Sequence, residues 1–128
     1  MLLPVPYDRR RAVEYARRWA LSRNPLFVNF AGQGGDCTSF VSQCILAGCG
    51  IMNYTDTFGW YYISPSDRAP AWSGVDELYN FLTAAPDFAR VNRGYGPYAT
   101  DAKLARRIDI GDVIQLANSD GEFYHTLI

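Results

Sequence analysis

Apolar residues recur every three to four positions in three stretches of this chain, and this spacing predicts three amphipathic helices. The first is predicted from Asp8 to Ser22, ended by Asn24-Pro25, and the second from Asp36 to Ala47, with Gly48 as its C-terminal stop. The third begins at Ser73, a suitable capping residue, and ends before Pro86. The predicted buried face of the first helix comprises Ala12, Val13, Ala16, Trp19 and Ala20.

A different pattern occupies the last part of the chain, where apolar and polar residues alternate. A strand is predicted over 113–117, a turn over 118–121 with the sequence Asn-Ser-Asp-Gly, and a second strand from Glu122 to Ile128. Residues 53–71 read as a long aromatic loop, 87–99 as irregular, and 100–107 as a short helical turn. Helices plus one antiparallel hairpin predict an α+β fold, and 128 residues suit a single domain over 1–128.

The alternating pattern stops at Ile128 in the middle of a predicted strand. Two strands alone do not form a stable sheet, and an exposed apolar edge favours aggregation. We therefore expect the domain to be incomplete at its C-terminus and the natural polypeptide to continue beyond Ile128.

Composition narrows the classes of function. Apolar residues make up 48% of the chain, which allows a packed core and excludes a disordered polymer. The formal net charge is −1, so no global electrostatic argument favours nucleic acid as a partner. No apolar run approaches the roughly 20 residues of a transmembrane helix, and the start lacks the features of a signal peptide. If the protein is exported, its signal lies outside this sequence; the oligomeric state is left open.

The most reactive candidate is Cys37, which follows Gly34-Gly35-Asp36 at the predicted start of the second helix. A thiol there faces unpaired N–H groups and the positive end of the helix dipole, which favour the nucleophilic thiolate. The same N–H groups can stabilise an oxyanion. A cysteine nucleophile needs a base, and His125 is the one histidine in the sequence. Cys37 and His125 are therefore the candidate catalytic pair.

Two other interpretations of the cysteines stay open. Cys37, Cys44 and Cys49 with His125 contain the ligand types of a zinc site, but no Cys-x-x-Cys spacing supports one, so no metal site is predicted. Cys44 and Cys49 are most simply small buried hydrophobic residues. Asp36 is expected to cap the helix, with its backbone N–H and that of Cys37 as oxyanion donors.

Several longer blocks resemble the bacterial putative amidase domain, a family similar to papain-like cell-wall hydrolases such as the NlpC-type peptidases and CHAP amidases. The resemblance spans most of the chain in order, and the combination is more specific than Gly-Asp-Cys alone. The blocks are Tyr-Asp-Arg-Arg-Arg-Ala-Val-Glu-Tyr-Ala at 7–16, Gly-Gly-Asp-Cys at 34–37, Phe-Val-Ser-Gln-Cys at 40–44, Gly-Trp-Tyr-Tyr at 59–62, Leu-Tyr-Asn-Phe-Leu at 78–82, Gly-Asp-Val-Ile-Gln-Leu at 111–116 and Tyr-His-Thr-Leu-Ile at 124–128.

This resemblance implies a papain-like fold, with the nucleophile helix packed on a small antiparallel sheet and the histidine on a neighbouring strand. Cys37 and His125 match the catalytic positions, and a third polar residue that orients the histidine is expected beyond Ile128. Gln33, four residues before the cysteine, is a candidate side-chain donor to the oxyanion. Ser39 stands where the family more often has Asn, and Ala71-Trp72-Ser73 stands where Ser-Trp-Thr is usual, so substrate contacts can differ.

Together these observations predict a cysteine amidase or peptidase that cleaves peptide links of the bacterial cell wall through a thioester and needs no cofactor. An extracellular or wall-associated location is expected. The candidate substrate-binding residues are Trp60, Tyr61, Trp72 and Ser39, although buried aromatic residues are more often core. Two alternatives are a non-catalytic domain that binds peptide or wall material and a cysteine-dependent acyltransferase.

Overall fold

The computed structural model describes residues 2–30, 36–84, 94–102 and 107–128. Over these ranges the fold has four helices, α1 to α4, and two short antiparallel sheets made from strands β1 to β4. In chain order the elements are α1 Arg9–Trp19, α2 Cys37–Cys49, β1 Tyr62–Ser64, β2 Asp67–Arg68, α3 Pro70–Ser73, α4 Val75–Thr83, β3 Ile114–Ala117 and β4 Phe123–Leu127. Separate helices and antiparallel hairpins define the α+β class that the pattern predicted.

The first helix is shorter than predicted. It ends at Trp19 because a turn follows directly, in which the N–H of Ser22 donates to the carbonyl of Trp19 over 3.2 Å. Its N-terminus is capped by Asp8, whose carboxylate accepts from the N–H of Arg11 at 3.1 Å. Ala12 is fully buried, whereas Ala20 lies beyond the helix and is exposed, so its assignment to the buried face was wrong.

The C-terminal part of α2 packs so closely against Tyr7 and Asp8, which precede α1, that a side chain cannot be accommodated at Gly48. A Cβ there would lie 2.3 Å from Cε1 of Tyr7 and 2.9 Å from the carbonyl oxygen of Asp8. The helix continues through Gly48 to Cys49, so the predicted stop at Gly48 was wrong. The residue that ends it is Gly50, with φ of 75°, a left-handed conformation that glycine adopts without steric cost.

The predicted aromatic loop contains regular structure that the sequence pattern did not reveal. Strands β1 and β2 form a hairpin, and Asn53 pairs with Trp60 in an isolated antiparallel bridge. The short helix α3 then runs to Ser73, so Ser73 does not cap the next helix as predicted. Its hydroxyl instead accepts a hydrogen bond from Nε of Arg68 at 3.1 Å. The helix α4 begins at Val75, with Gly74 at its N-cap.

Aromatic rings form the centre of the core. The rings of Trp60 and Trp72 are 5.0 Å apart, and Phe81 stacks on Trp60 at 6.1 Å while Phe27 stacks on Trp72 at 5.6 Å. Aliphatic residues of α2 and α4 complete this cluster, among them Val41, Ile45, Leu78 and Leu82. Phe27 and Phe30, the aromatic segment and the helices α2 and α4 thus pack in one cluster, and Cys37 is the first residue of α2.

The second hairpin pairs β3 with β4 in antiparallel register. Leu116 lies opposite His125 and Gln115 opposite Thr126, with a bulge after Leu116. The turn between the strands was correctly predicted: Asn118 accepts from the N–H groups of Asp120 and Glu122 at 3.0 and 2.9 Å. Gly121 supplies the positive φ of 83° that this turn requires. This hairpin places the candidate histidine.

The helical turn predicted over 100–107 falls partly on residues 103–106, which lie outside the described ranges. Across the described segments, no helix combines the length and the apolar character needed to cross a membrane.

Candidate active site

The thiol of Cys37 differs from the other two in position and exposure. Cys37 is the first residue of α2 and is half-buried, whereas Cys44 is fully buried. Burial raises the pKa of Cys44 to about 12, and burial also raises the pKa of Cys49, whose Sγ lies 3.3 Å from the carbonyl oxygen of Ile51. Both therefore remain neutral thiols at pH 7, while Cys37 is the thiol that lies at the N-terminus of a helix, beside the N–H groups of its first turn.

Asp36 precedes α2 but does not cap it. Its side chain accepts no hydrogen bond from the first turn of the helix. One carboxylate oxygen accepts from Nη1 of Arg23 at 2.6 Å and the other from the N–H of Phe30 at 3.2 Å. The prediction of a side-chain cap at Asp36 was therefore wrong, because two other donors bind both of its oxygens. Among the described residues, no side chain caps the first N–H groups of α2.

A buried pair of hydroxyl groups connects the start of α2 to β4. Oγ1 of Thr38 lies 2.9 Å from Oγ1 of Thr126, and both residues are about 1% exposed. Thr38 follows Cys37 in sequence, and Thr126 follows His125. The amide of Gln115 donates to Thr126 at 3.3 Å and to the carbonyl of Val75 at 2.9 Å, so this network also reaches α4. The two candidate catalytic residues thus lie next to the contact between their elements.

Within the described ranges, no hydrogen bond joins the thiol of Cys37 to the imidazole of His125. The Sγ of Cys37 instead lies 3.8 Å from Oγ1 of Thr38. His125 is half-buried and sits opposite Leu116 across the hairpin. Because side chains alternate along a strand, His125 and Thr126 project from opposite faces of β4. The structure therefore brings the two elements together without joining the two side chains, and their catalytic pairing stays a prediction.

Three of the four candidate substrate residues lie in the interior. Trp60 and Trp72 are 0% exposed and Ser39 is 1% exposed, so a substrate does not reach them in this conformation. Ser39 accepts from Nε2 of Gln43 at 3.4 Å on the face of α2 that contacts α1. Tyr61 alone among the four reaches the surface, where its hydroxyl donates to Asp67 at 3.1 Å. Substrate binding by Tyr61 stays a prediction.

The sequence also predicted a side-chain donor to the oxyanion and no metal site. Gln33, the candidate side-chain donor, lies outside the described residues. Across the segments that the structure describes, no three or more His, Cys, Asp or Glu side chains are grouped so as to hold a metal ion. All three cysteines are free thiols.

Sequence reasoning overlooked Arg23, Thr38 and Thr126. Thr126 carried a signal, since it is a polar residue next to the single histidine within an otherwise apolar strand. Arg23 carried none, because it lies just beyond the predicted first helix and belongs to no motif. Its pairing with Asp36 is a contact between residues 13 positions apart, which no local pattern indicates.

Comparison with known proteins assigns the sequence to a family. The sequence profile of the putative amidase domain family matches residues 6–128, nearly the whole chain. The chain therefore belongs to the putative amidase domain family, whose description indicates amide hydrolysis. It is also 32% identical over 124 residues to the uncharacterized protein YhbB of Bacillus subtilis (strain 168). That alignment covers 95% of this chain and 36% of YhbB, so the chain spans about a third of this relative. No solved structure matches the chain significantly.

Proposed function

We propose that this chain is a cysteine-dependent amide hydrolase that cleaves peptide links of the bacterial cell wall at or outside the cell surface. Membership of the putative amidase domain family carries the hydrolase assignment. The choice of a cysteine mechanism rests on Cys37, the half-buried thiol at the start of α2. The choice of wall peptides rests on the resemblance to cell-wall hydrolases and on a relative from a bacterium.

The proposed first half-reaction forms a thioester. His125 takes the proton from Cys37, and the sulfur attacks the amide carbonyl carbon. The negative charge moves to the carbonyl oxygen, where the backbone N–H groups of Asp36 and Cys37 stabilise it. The intermediate then collapses: the carbon–nitrogen bond breaks, His125 returns the proton to the nitrogen, and a free amine leaves.

The second half-reaction consumes water. His125 takes a proton from water, and the oxygen attacks the thioester carbon. The carbon–sulfur bond breaks, a carboxylic acid leaves, and Cys37 recovers its proton. The overall reaction is hydrolysis of one amide, and it balances with water as the only co-reactant.

This mechanism requires the imidazole of His125 to approach the thiol more closely than their present arrangement, in which no hydrogen bond joins them. Catalytic hydrogen bonds are often long without substrate and shorten in the reactive complex. The contact between Thr38 and Thr126 supports the proposal because it fixes β4 against the first turn of α2.

The test is hydrolysis of purified peptidoglycan, followed by newly exposed amino groups and by mass spectrometry of the released fragments. Wild type should release amines, and Cys37→Ala and His125→Ala should each lower the rate by about 10³-fold or more, as expected for a nucleophile and its base. Cys49→Ala is the matched control and should retain the rate. Retention of activity by Cys37→Ala would contradict a cysteine mechanism.

The missing hydrogen bond between Cys37 and His125 also fits a non-catalytic domain that binds wall material. Sedimentation with insoluble peptidoglycan distinguishes that function: binding by wild type without any release of amines would favour it. Transfer of the acyl group to an added amine, faster than to water, would instead identify an acyltransferase.

A further inference from the structure

We infer that Arg23 is a positioning residue that holds the carboxylate of Asp36 away from the start of α2 and so keeps the first N–H groups of the helix open to the substrate oxyanion. This inference rests on the proposed function, in which those N–H groups serve the reaction at Cys37. It assigns a role to a residue outside the catalytic pair.

The two aspartates that precede long helices in this fold behave differently. Asp8 precedes α1 and caps it by accepting from the N–H of Arg11 at 3.1 Å. Asp36 precedes α2 and accepts nothing from its first turn. Aspartate is among the preferred N-cap residues, so the unusual case is Asp36. Something other than residue type therefore keeps its side chain off the helix.

Two hydrogen-bond donors hold the carboxylate of Asp36. Nη1 of Arg23 lies 2.6 Å from one oxygen, and the N–H of Phe30 lies 3.2 Å from the other. The aspartate side chain is 21% exposed and the arginine side chain 40%, so this ion pair is partly shielded from water. The backbone of Asp36 also has a ψ of 0°, rather than the extended value typical of a capping residue. Neither the side-chain contacts nor the backbone conformation of Asp36 is that of a capping residue.

A capping carboxylate would harm the proposed reaction in two ways. It would occupy the N–H groups that the oxyanion needs, and it would place a negative charge beside the thiolate of Cys37. With Arg23 in place, the carboxylate is paired with the guanidinium and with the N–H of Phe30 instead of with the helix N–H groups. The N-terminus of α2 therefore lacks the stability that a cap would add, and its N–H groups remain available to the proposed reaction.

The experiment measures alkylation of Cys37 by neutral iodoacetamide and anionic iodoacetate, resolved for each cysteine by peptide mass spectrometry. The thiolate displaces iodide from either reagent. The rate with anionic iodoacetate depends on the charge near the start of the helix, whereas the rate with neutral iodoacetamide depends on it much less. We expect Arg23→Met to lower the Cys37 iodoacetate-to-iodoacetamide rate ratio about fivefold, the size of effect expected for one charge-assisted contact at a helix N-terminus. Arg17→Met, which removes an exposed arginine of α1, is the control and should leave the ratio unchanged.

A second variant separates a moving carboxylate from the simple loss of a positive charge. Alanine cannot cap, so Arg23→Met in an Asp36→Ala background should have little effect on the ratio. Arg23→Lys should recover most of the wild-type ratio. Thermal unfolding of Arg23→Met should occur at or above the wild-type temperature, because the helix gains a cap.

An equal fall in the ratio with and without Asp36 would overturn the inference, since Arg23 would then act only through its own charge. Amine release from peptidoglycan adds an activity readout, in which Arg23→Met should lower kcat with little change in KM. If Cys37→Ala still hydrolyses its substrate, the proposed function fails. The alkylation cycle nevertheless reports on the surroundings of the thiol, so the two failures are distinguishable.

Discussion

The hydroxyl groups of Thr38 and Thr126 lie 2.9 Å apart in the interior, and they join the first turn of α2 to the strand that carries His125. Each threonine is the immediate sequence neighbour of a candidate catalytic residue. Any shift of β4 along α2 therefore moves His125 relative to Cys37. This bond links the packing of the second hairpin to the geometry that the proposed reaction needs.

Replacing Thr126 by valine tests that link. Valine keeps the shape of threonine but leaves the hydroxyl of Thr38 and one amide hydrogen of Gln115 without this partner. We expect the free energy of unfolding to fall by about 1–3 kcal/mol, the cost of an unsatisfied buried polar group. Amine release from peptidoglycan should fall as well. Urea unfolding and the hydrolysis assay measure the two effects.

The double variant with valine at both Thr38 and Thr126 sharpens this prediction. It removes both polar groups of the pair, so it should cost less than the sum of the two single changes. Thr57→Val, at an exposed turn position, serves as the matched control and should change stability by less than about 0.5 kcal/mol. Strict additivity of the two single variants would show that the hydroxyl groups are not coupled.

Local sequence signals predicted much of this architecture. The α2 helix and the second hairpin follow from apolar spacing and from a turn whose Asn118 and Gly121 satisfy specific backbone needs. The structural features that the sequence did not predict depend on tertiary contacts. Gly48 lies inside a helix at a point where Tyr7 leaves no room for a side chain, and the carboxylate of Asp36 binds Arg23 and the N–H of Phe30 instead of the helix.

For the candidate substrate-binding aromatic residues, too, the sequence did not predict which side chains are buried. The sequence contains Trp60, Tyr61 and Trp72 in one segment without indicating which of them points inward. The bridge between Asn53 and Trp60 and the short helix α3 turn both indoles into the core. Tyr61 then lies on the other side of the chain, as expected for the neighbour of an inward residue. Contacts distant in sequence determine the choice.

Substitutions in this segment should separate packing from substrate binding. Trp72→Ala removes a ring that contacts Phe27, Trp60 and Tyr62, and we expect a loss of about 3–5 kcal/mol of stability. Tyr61→Ala should change stability by less than about 1 kcal/mol but raise KM for peptidoglycan. Denaturant unfolding and steady-state kinetics measure these effects. An unchanged KM in Tyr61→Ala would remove this residue from the substrate surface.

Acid should weaken the connection between α1 and the segment that leads into β3. Nη1 of Arg9 donates to Asp112 at 2.5 Å and to the carbonyl of Ile110 at 2.9 Å. The hydrogen bond from Arg9 lowers the pKa of Asp112, assisted by one from the N–H of Asp109. A lowered pKa in the folded state means that the pair stabilises the protein above the unfolded-state pKa of about 3.9. This contribution is lost as the pH falls through the folded-state pKa.

The variant Arg9→Gln should therefore be less stable than wild type at pH 7, and the difference should shrink as the pH falls below the unfolded-state pKa of about 3.9. Both side chains are more than a third exposed, so the difference at pH 7 should stay below about 1 kcal/mol. Urea unfolding of both proteins across this pH range provides the measurement. A stability difference that is independent of pH would show that Arg9 acts through its carbonyl contact rather than through Asp112.

The proposed function depends most on Cys37 as the nucleophile, and trapping of the acyl-enzyme tests this role most directly. An activated ester or amide of a short wall peptide should add one acyl group to the protein, seen as a single mass increase and mapped to Cys37 by peptide mass spectrometry. The adduct should be absent from Cys37→Ala and should disappear from wild type as water releases the acid. An adduct on Cys49, equal slow labelling of all three cysteines, or hydrolysis without any adduct and undiminished in Cys37→Ala would contradict the account.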